Sequence, residues 1–246
     1  MNENAPTEKQ LLMPREKPRS AVISVGYRLR YLSSILFGRK RMMRFFLTAS
    51  WLFWRFAFEL TGETYGGDFH CHAKGLSEDI LKRWIPAGGS LIDIGCNTGV
   101  WCRKAAQYAG TVVGIDFRED HIKQAREQTV EKNVEFVVGD ATKDLPGRRF
   151  DVALLTHVLE HIDDPDSFLR SLQKIASRVI IEVPDFENDP LNWVRWKNDL
   201  RFYSDADHVR EYTEDILLEQ LERNGWRVLE HRKHGGALLA VAEHSA

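Results

Sequence analysis

Cysteine is scarce in this chain, three residues in 246, and so low and odd a count excludes a fold stapled by disulfides. Net charge is almost absent too: 34 Lys and Arg meet 36 Asp and Glu, a balance of -2, so no overall field gathers nucleic acid. The opening MNENAPTEKQ lacks the basic-then-apolar order of a secretory signal, and with the few cysteines this points to a reducing, cytosolic compartment. Internal repeats and low-complexity tracts are missing, which argues against solenoids and arrays. What is present is the composition of an ordinary globular protein, 43% apolar and 28% charged, enough to bury a full core.

The near-neutral total hides an asymmetry. Residues 1–60 hold eleven Lys or Arg against four Asp or Glu, and the remaining 186 hold 23 against 32. A basic arm therefore precedes an acidic body. Residues 1–20, with three prolines and no apolar period, read as a disordered tail. Residues 21–74 read as a basic, aromatic helical extension. Its stretch MMRFFLTASWLFWRFAFEL is apolar at fourteen of nineteen positions, and at roughly 100° per residue Arg44, Thr48, Arg55 and Glu59 form one narrow polar stripe. Three fates suit such a helix: a membrane span, a helix lying in a membrane surface, or a cap over the body. Two internal arginines make the span costly, about 2.5–3.5 kcal/mol for each central one. The run Gly38, Arg39, Lys40, Arg41 beside Phe45, Phe46, Trp51, Phe53 and Trp54 suits a membrane surface through residues 38–60, on the inner face. An amphipathic cap suits the same residues equally.

From residue 75 to 246 strand and helix periods alternate, the mark of an α/β sheet. Strands are expected at Ser90–Gly95, Thr111–Asp116, Val134–Val138, Phe150–Thr156, Val179–Val183, Trp226–His231 and Ala237–Ala242. Helices are expected at Ser77–Trp84, Val100–Tyr108, Glu119–Glu131, Pro165–Ala176 and Thr213–Asn224. Helical lengths or long loops separate the first five strands, as parallel neighbours require. Gly235 and Gly236 lie between the last two, where a Gly-Gly turn makes an antiparallel pair.

SLIDIGCNTGVWCRKAA runs from an apolar strand through a glycine-bearing turn into a helix, which places a ligand site at a strand's carboxyl end. Gly95 and Gly99 permit backbone angles and approaches that a side chain forbids, and Asn97 is among the few other residues that tolerate left-handed geometry. Asp116 ends the next strand 21 residues after Gly95, where a carboxylate accepts both hydroxyls of a ribose. In VVGDA, Asp140 and Ala141 end the third strand beside the same crevice, suited to an adenine amino group. A turn glycine or a capping aspartate explains each feature alone; their joint order favours a nucleoside site.

In LIDIGCNTG, VVGID, VVGDA, FDVALLTHVLEHIDDP, IIEVPD and HVREYT, spread over about residues 75–242, the chain resembles the class I S-adenosylmethionine-dependent methyltransferases, of the small-molecule type. The resemblance implies a doubly wound, mostly parallel seven-stranded sheet ordered 3-2-1-4-5-7-6 with the last strand antiparallel. It implies S-adenosylmethionine (SAM) as cofactor, with Asp93, Gly95, Cys96 and Gly99 at its methionine part, Asp116 at the ribose and Asp140 with Ala141 at the adenine. Asn97, Phe117 and Thr156 complete the expected cofactor-binding set. Many members have glycine where Asn97 stands, which questions the local loop geometry. NAD fits less well: GCNTG lacks G-x-G-x-x-G spacing, and none of the six tyrosines has a lysine four residues on, so a dehydrogenase ranks third.

Methyl transfer from a sulfonium is a displacement at carbon, for which alignment supplies much of the acceleration; a base helps a hydroxyl acceptor. Candidates are His157 and His208, together with the aromatic insertion 184–212, which is expected to cover the acceptor. If THVLEHIDDP is helical at this point, His157, Glu160 and His161 share a face, and with His208 they make a set able to ligate a divalent metal. Related enzymes acting on quinone precursors and RNA ends look similar there and use a metal, but a metal-free turn in which Glu160 and His161 orient the loop is preferred. His70, Cys71 and His72 read as loop or lid residues. The expected activity is O-methylation of a small-molecule, glycan or lipid-linked acceptor; the alternative is a SAM-binding or membrane-associated scaffold without turnover.

Overall fold

The computed structural model describes residues 21–65, 76–143, 145–203, 205 and 207–244, so the expected tail 1–20 and His70, Cys71 and His72 lie outside the described residues. The chain divides into two compact units, Met1–Leu52 and Phe53–Ala246. The first holds helix α1 (Ala21–Phe37) and the start of α2 (Arg39–Tyr65). Gly38, at φ +85°, breaks the helical path between them in a conformation glycine adopts without a Cβ penalty.

The second unit is an α/β layer structure. Strands β1 (Ser90–Ile94), β2 (Thr111–Asp116), β3 (Val134–Val138), β4 (Phe150–Thr156), β5 (Ala176–Pro184), β6 (Arg227–His234) and β7 (Ala237–Glu243) form one sheet in the order β3-β2-β1-β4-β5-β7-β6. The first five run parallel, and β7 is antiparallel to both β5 and β6. The β6–β7 turn is Gly235-Gly236, with φ of +58° and +83°, the double left-handed step of a two-residue hairpin.

Alternation along the strands divides the core. Ile92, Ile94, Ile115, Ala153, Leu155 and Ile181 face one side, where they meet α6 (Pro165–Leu172), α8 (Glu214–Arg223) and Trp226. Leu91, Val112, Val152, Leu154 and Ile180 face the other, with α3 (Glu78–Trp84), α4 (Val100–Ala105) and α5 (Glu119–Gln128). Both faces are covered, as a parallel sheet requires. Helix α6 begins where Asp164 accepts the Ser167 amide at 3.0 Å with Pro165 behind it, and α8 begins at Thr213, which caps Ile216; each cap satisfies an otherwise orphaned donor.

This topology positions the site. The strand order reverses between β1 and β4, so the loops after β1, β2, β4 and β5 open on one crevice at the sheet's carboxyl edge.

Candidate functional site

The loop after β1 is wound by positive φ at Gly95 (+69°), Asn97 (+49°) and Gly99 (+75°). A Cβ on Gly95 would stand 2.7 Å from Val158 Cγ2, and one on Gly99 would stand 2.6 Å from Phe136 Cζ, so glycine here permits close packing as well as the turn. Asn97 takes left-handed geometry without being glycine; its side chain accepts the Thr98 amide at 2.7 Å, the local bond that makes αL tolerable for asparagine. Asparagine at this position thus supports the left-handed turn of the loop.

Asp116 ties this loop to β2. Its carboxylate, 6% exposed, accepts the Asn97 amide through Oδ2 and the Arg118 amide through Oδ1, each at 2.9 Å, and His121 Nδ1 stands 3.7 Å away. An ionised carboxylate offers about four acceptor positions, so two remain for hydroxyl groups. Those free acceptor positions fit the hydroxyl donors of the ribose of SAM, the group the family resemblance implies. Phe117, beside it, presents an exposed ring.

The other expected cofactor residues have different settings. Asp93 is buried on β1, and Cys102 Sγ donates to its Oδ2 at 3.1 Å. Cys96 is turned inward over Gly114; its amide donates to the Ile115 carbonyl at 3.1 Å and its carbonyl accepts the Gly99 amide at 2.9 Å, so it braces the loop from within. Burial pushes the Cys102 thiol well above its ordinary range, with Cys96 and the Asp93 charge acting the same way, which makes it an inert core thiol. Asp140 accepts from Thr142 Oγ1 at 2.6 Å and pairs with Lys143 at 2.7 Å. The hydrogen bonds of Lys143 and Thr142 lower its pKa to about 2. Ala141 packs against the core edge, and Thr156 ends β4 opposite Glu182.

At the end of β4 the structure corrects one expectation. His157 has φ +55°, and the short 3-10 turn starts only at Leu159, so His157, Glu160 and His161 do not share a helical face. The His157 amide donates to the Glu182 carbonyl at 2.9 Å, and its ring lies between two carboxylates: Nδ1 is 3.1 Å from Glu160 Oε1 and Nε2 is 3.1 Å from Glu182 Oε1. Both glutamates are 0% exposed. Buried carboxylates need such partners, and Glu182 also accepts the Leu76 amide. Sequence reasoning missed Glu182 as a site residue, although an acid inside the apolar run VIIEVP carries the signal.

His208 reaches the same place from the insertion. Val209 donates to the Glu160 carbonyl at 3.0 Å, and Phe186 donates to the Tyr212 carbonyl at 2.9 Å, pinning HVREYT beside the ends of β4 and β5. The His208 ring is almost buried: Nδ1 is 2.9 Å from Glu211 Oε1, Nε2 is 4.0 Å from Glu160 Oε1, and the ring meets His161 edge-on at 4.7 Å. Burial opposes its charged form, but the hydrogen bond and charge of Glu211, with the charges of Glu160 and Asp205, outweigh this and raise its pKa. Glu211, three residues after His208, is a second residue the sequence reading missed. Glu160, His161 and His208 hold donor atoms within 4.8 Å of one another, a carboxylate and two imidazoles suited to a divalent ion. His157 falls outside that group.

In the insertion, which carries helix α7 (Leu191–Lys197), Phe186 meets Trp193 edge-on at 5.2 Å and Phe202 at 5.5 Å, and Trp193 meets Trp196 at 5.8 Å. Both tryptophans keep exposed surface. Asp205 pairs with Arg55 of α2 at 2.8 Å.

Comparison with known proteins bears on this geometry. A family model described as a methyltransferase domain matches residues 70–231. A ubiquinone biosynthesis O-methyltransferase of Pseudomonas paraeruginosa is 31% identical over 95 residues, 37% of this chain and 40% of that protein. The chain thus spans about two fifths of the length of the curated relatives it matches. Among solved structures, a methyltransferase in complex with the Haloferax volcanii Trm112 methyltransferase activator has a TM-score of 0.61 at 17% identity, covering 77% of this chain and 97% of that one. An S-adenosylmethionine-dependent methyltransferase from Mesorhizobium loti has a TM-score of 0.55 at 18% identity, covering 69% and 99%. At these identities the structural likeness concerns the fold.

Proposed function

The chain belongs to the class I S-adenosylmethionine-dependent methyltransferase family through its methyltransferase domain, and from that premise we propose that it transfers a methyl group from SAM to a hydroxyl oxygen of a small-molecule, glycan or lipid-linked acceptor. The observation that carries this reading is the His208–Glu211 pair on the same sheet edge as the Gly95–Gly99 loop and Asp116. The Pseudomonas relative, named for O-methylation in ubiquinone biosynthesis, supports oxygen as the methylated atom and a small molecule as the acceptor.

When bound, SAM supplies an electrophilic methyl on a sulfonium. Gly95, Asn97 and Gly99 shape the loop against it, and Asp116 accepts its ribose hydroxyls. Phe117 and Asp140 with Ala141 would flank the adenine, while Asp93, Cys96 and Thr156 would lie toward the methionine side. Glu211 holds His208 through Nδ1 and so fixes the tautomer that leaves Nε2 as the proton acceptor. His208 Nε2 would take the proton that a hydroxyl acceptor gives up on methylation, S-adenosylhomocysteine being the other product. His157, held by Glu160 and Glu182, orders the turn under the acceptor, and the Phe186 aromatic group with Trp193 forms an apolar wall over it.

The test is release of S-adenosylhomocysteine from SAM with phenolic, glycan and lipid-linked hydroxyl acceptors. Acceptor-dependent turnover is expected, and His208→Ala should lower kcat by about 100-fold or more, the range of general-base catalysis, while S-adenosylhomocysteine still binds. Unchanged kcat removes His208 from the chemistry. Binding without turnover on every acceptor favours a non-catalytic SAM-binding module.

A further inference from the structure

Helix α2 has two unlike sides. At about 100° per residue, Leu47, Trp51, Arg55 and Phe58 gather on one, where each is buried or half-buried. Phe45, Phe46, Leu52, Phe53, Phe56 and Leu60 fall within a single arc on the other, and each is 40–68% exposed. No charged side chain interrupts that arc from Phe45 to Leu60. Over fifteen residues it extends about 22 Å, less than the roughly 30 Å hydrocarbon thickness of a bilayer, and no helix among the described residues is long and apolar enough to cross a membrane. So large an uninterrupted apolar surface marks an interaction site.

Charge selects the occupant. From residue 21 to residue 58 the sequence has seven Lys or Arg and no Asp or Glu. Arg39, Lys40 and Arg41 occupy the first turn of α2, with no acid there, at the end of the helix dipole that disfavours cations. An anionic surface relieves both the dipole conflict and the mutual repulsion. A second copy of the segment would set like charge against like charge.

We propose that α2 lies in the surface of a membrane rich in anionic phospholipid, with the Phe45–Leu60 face among the acyl chains and Arg39, Lys40 and Arg41 on lipid phosphates. Arg55, from the opposite side of the same helix, holds Asp205 in the insertion, so the docked helix is joined to the segment that carries His208. This binding is independent of SAM and of turnover.

The test is flotation of the full chain with phosphatidylcholine vesicles, with and without phosphatidylglycerol. Recovery with anionic vesicles should exceed that with neutral ones by about tenfold or more and fall several-fold at high salt. Phe53→Glu with Phe56→Glu should abolish it while circular dichroism and S-adenosylhomocysteine binding stay unchanged. Recovery no greater than without lipid overturns the proposal, as does flotation that the double variant retains. A concentration-dependent dimer that does not float, and that the double variant dissociates, overturns it and assigns the face to a second copy.

Discussion

Replacing Gly99 with alanine separates two reasons for glycine in the β1 loop. The first is conformational: φ is +75°, where an L residue costs about 1–2 kcal/mol. The second is contact, because the new Cβ would stand 2.6 Å from Phe136 Cζ and 3.3 Å from Ala125 Cβ. Both neighbours are buried, and overpacking of that kind costs about 1–3 kcal/mol. Gly88 supplies the control, since its φ is +71° with nothing within 4 Å of a Cβ. Urea unfolding should then show Gly99→Ala losing about 1–3 kcal/mol more than Gly88→Ala at an unchanged m-value. Equal losses would refute the close packing of Phe136 beneath the loop, and with it the reason assigned to glycine at that position.

Two further outcomes follow from the histidine pairs. Glu211 raises the His208 pKa, so Glu211→Gln should move the acid limb of kcat/KM to lower pH; the raised pKa also gives stability that is full below the unfolded histidine value and is lost as pH rises through the folded value, a gain the variant should diminish. An acid limb at the same pH in both proteins would contradict the pairing. Glu182→Ala should destabilise by at least about 1–3 kcal/mol, because it orphans the buried Leu76 amide and removes one of the carboxylates around His157; an unchanged urea midpoint would speak against that arrangement.

The fold was legible where periodicity and punctuation agree. Strands β2, β3 and β4 begin and end at the residues their apolar runs predict, and the Gly235-Gly236 turn marks the final hairpin. Strand β5 begins three residues early, at Ala176, because pairing with β4 rather than intrinsic preference sets the conformation of Ala176–Arg178. Helix α6 correspondingly stops at Leu172, short of the expected Ala176. In the site, Asp116 follows from spacing alone, since its place is a strand end. His157 does not: a face shared across residues 157–161 requires helical spacing, and the left-handed step at His157 breaks it. Glu182 and Glu211 were hidden for a related reason, as their roles depend on side chains that only tertiary packing brings near.

Calorimetric titration with S-adenosylhomocysteine tests most directly whether the crevice at the carboxyl edge of the sheet holds SAM with Asp116 on its ribose. The native chain should bind with a dissociation constant on the order of micromolar, and Asp116→Ala should weaken binding at least about tenfold, roughly 1.4 kcal/mol. Equal affinity in the two proteins, or no binding to the native chain, would contradict it.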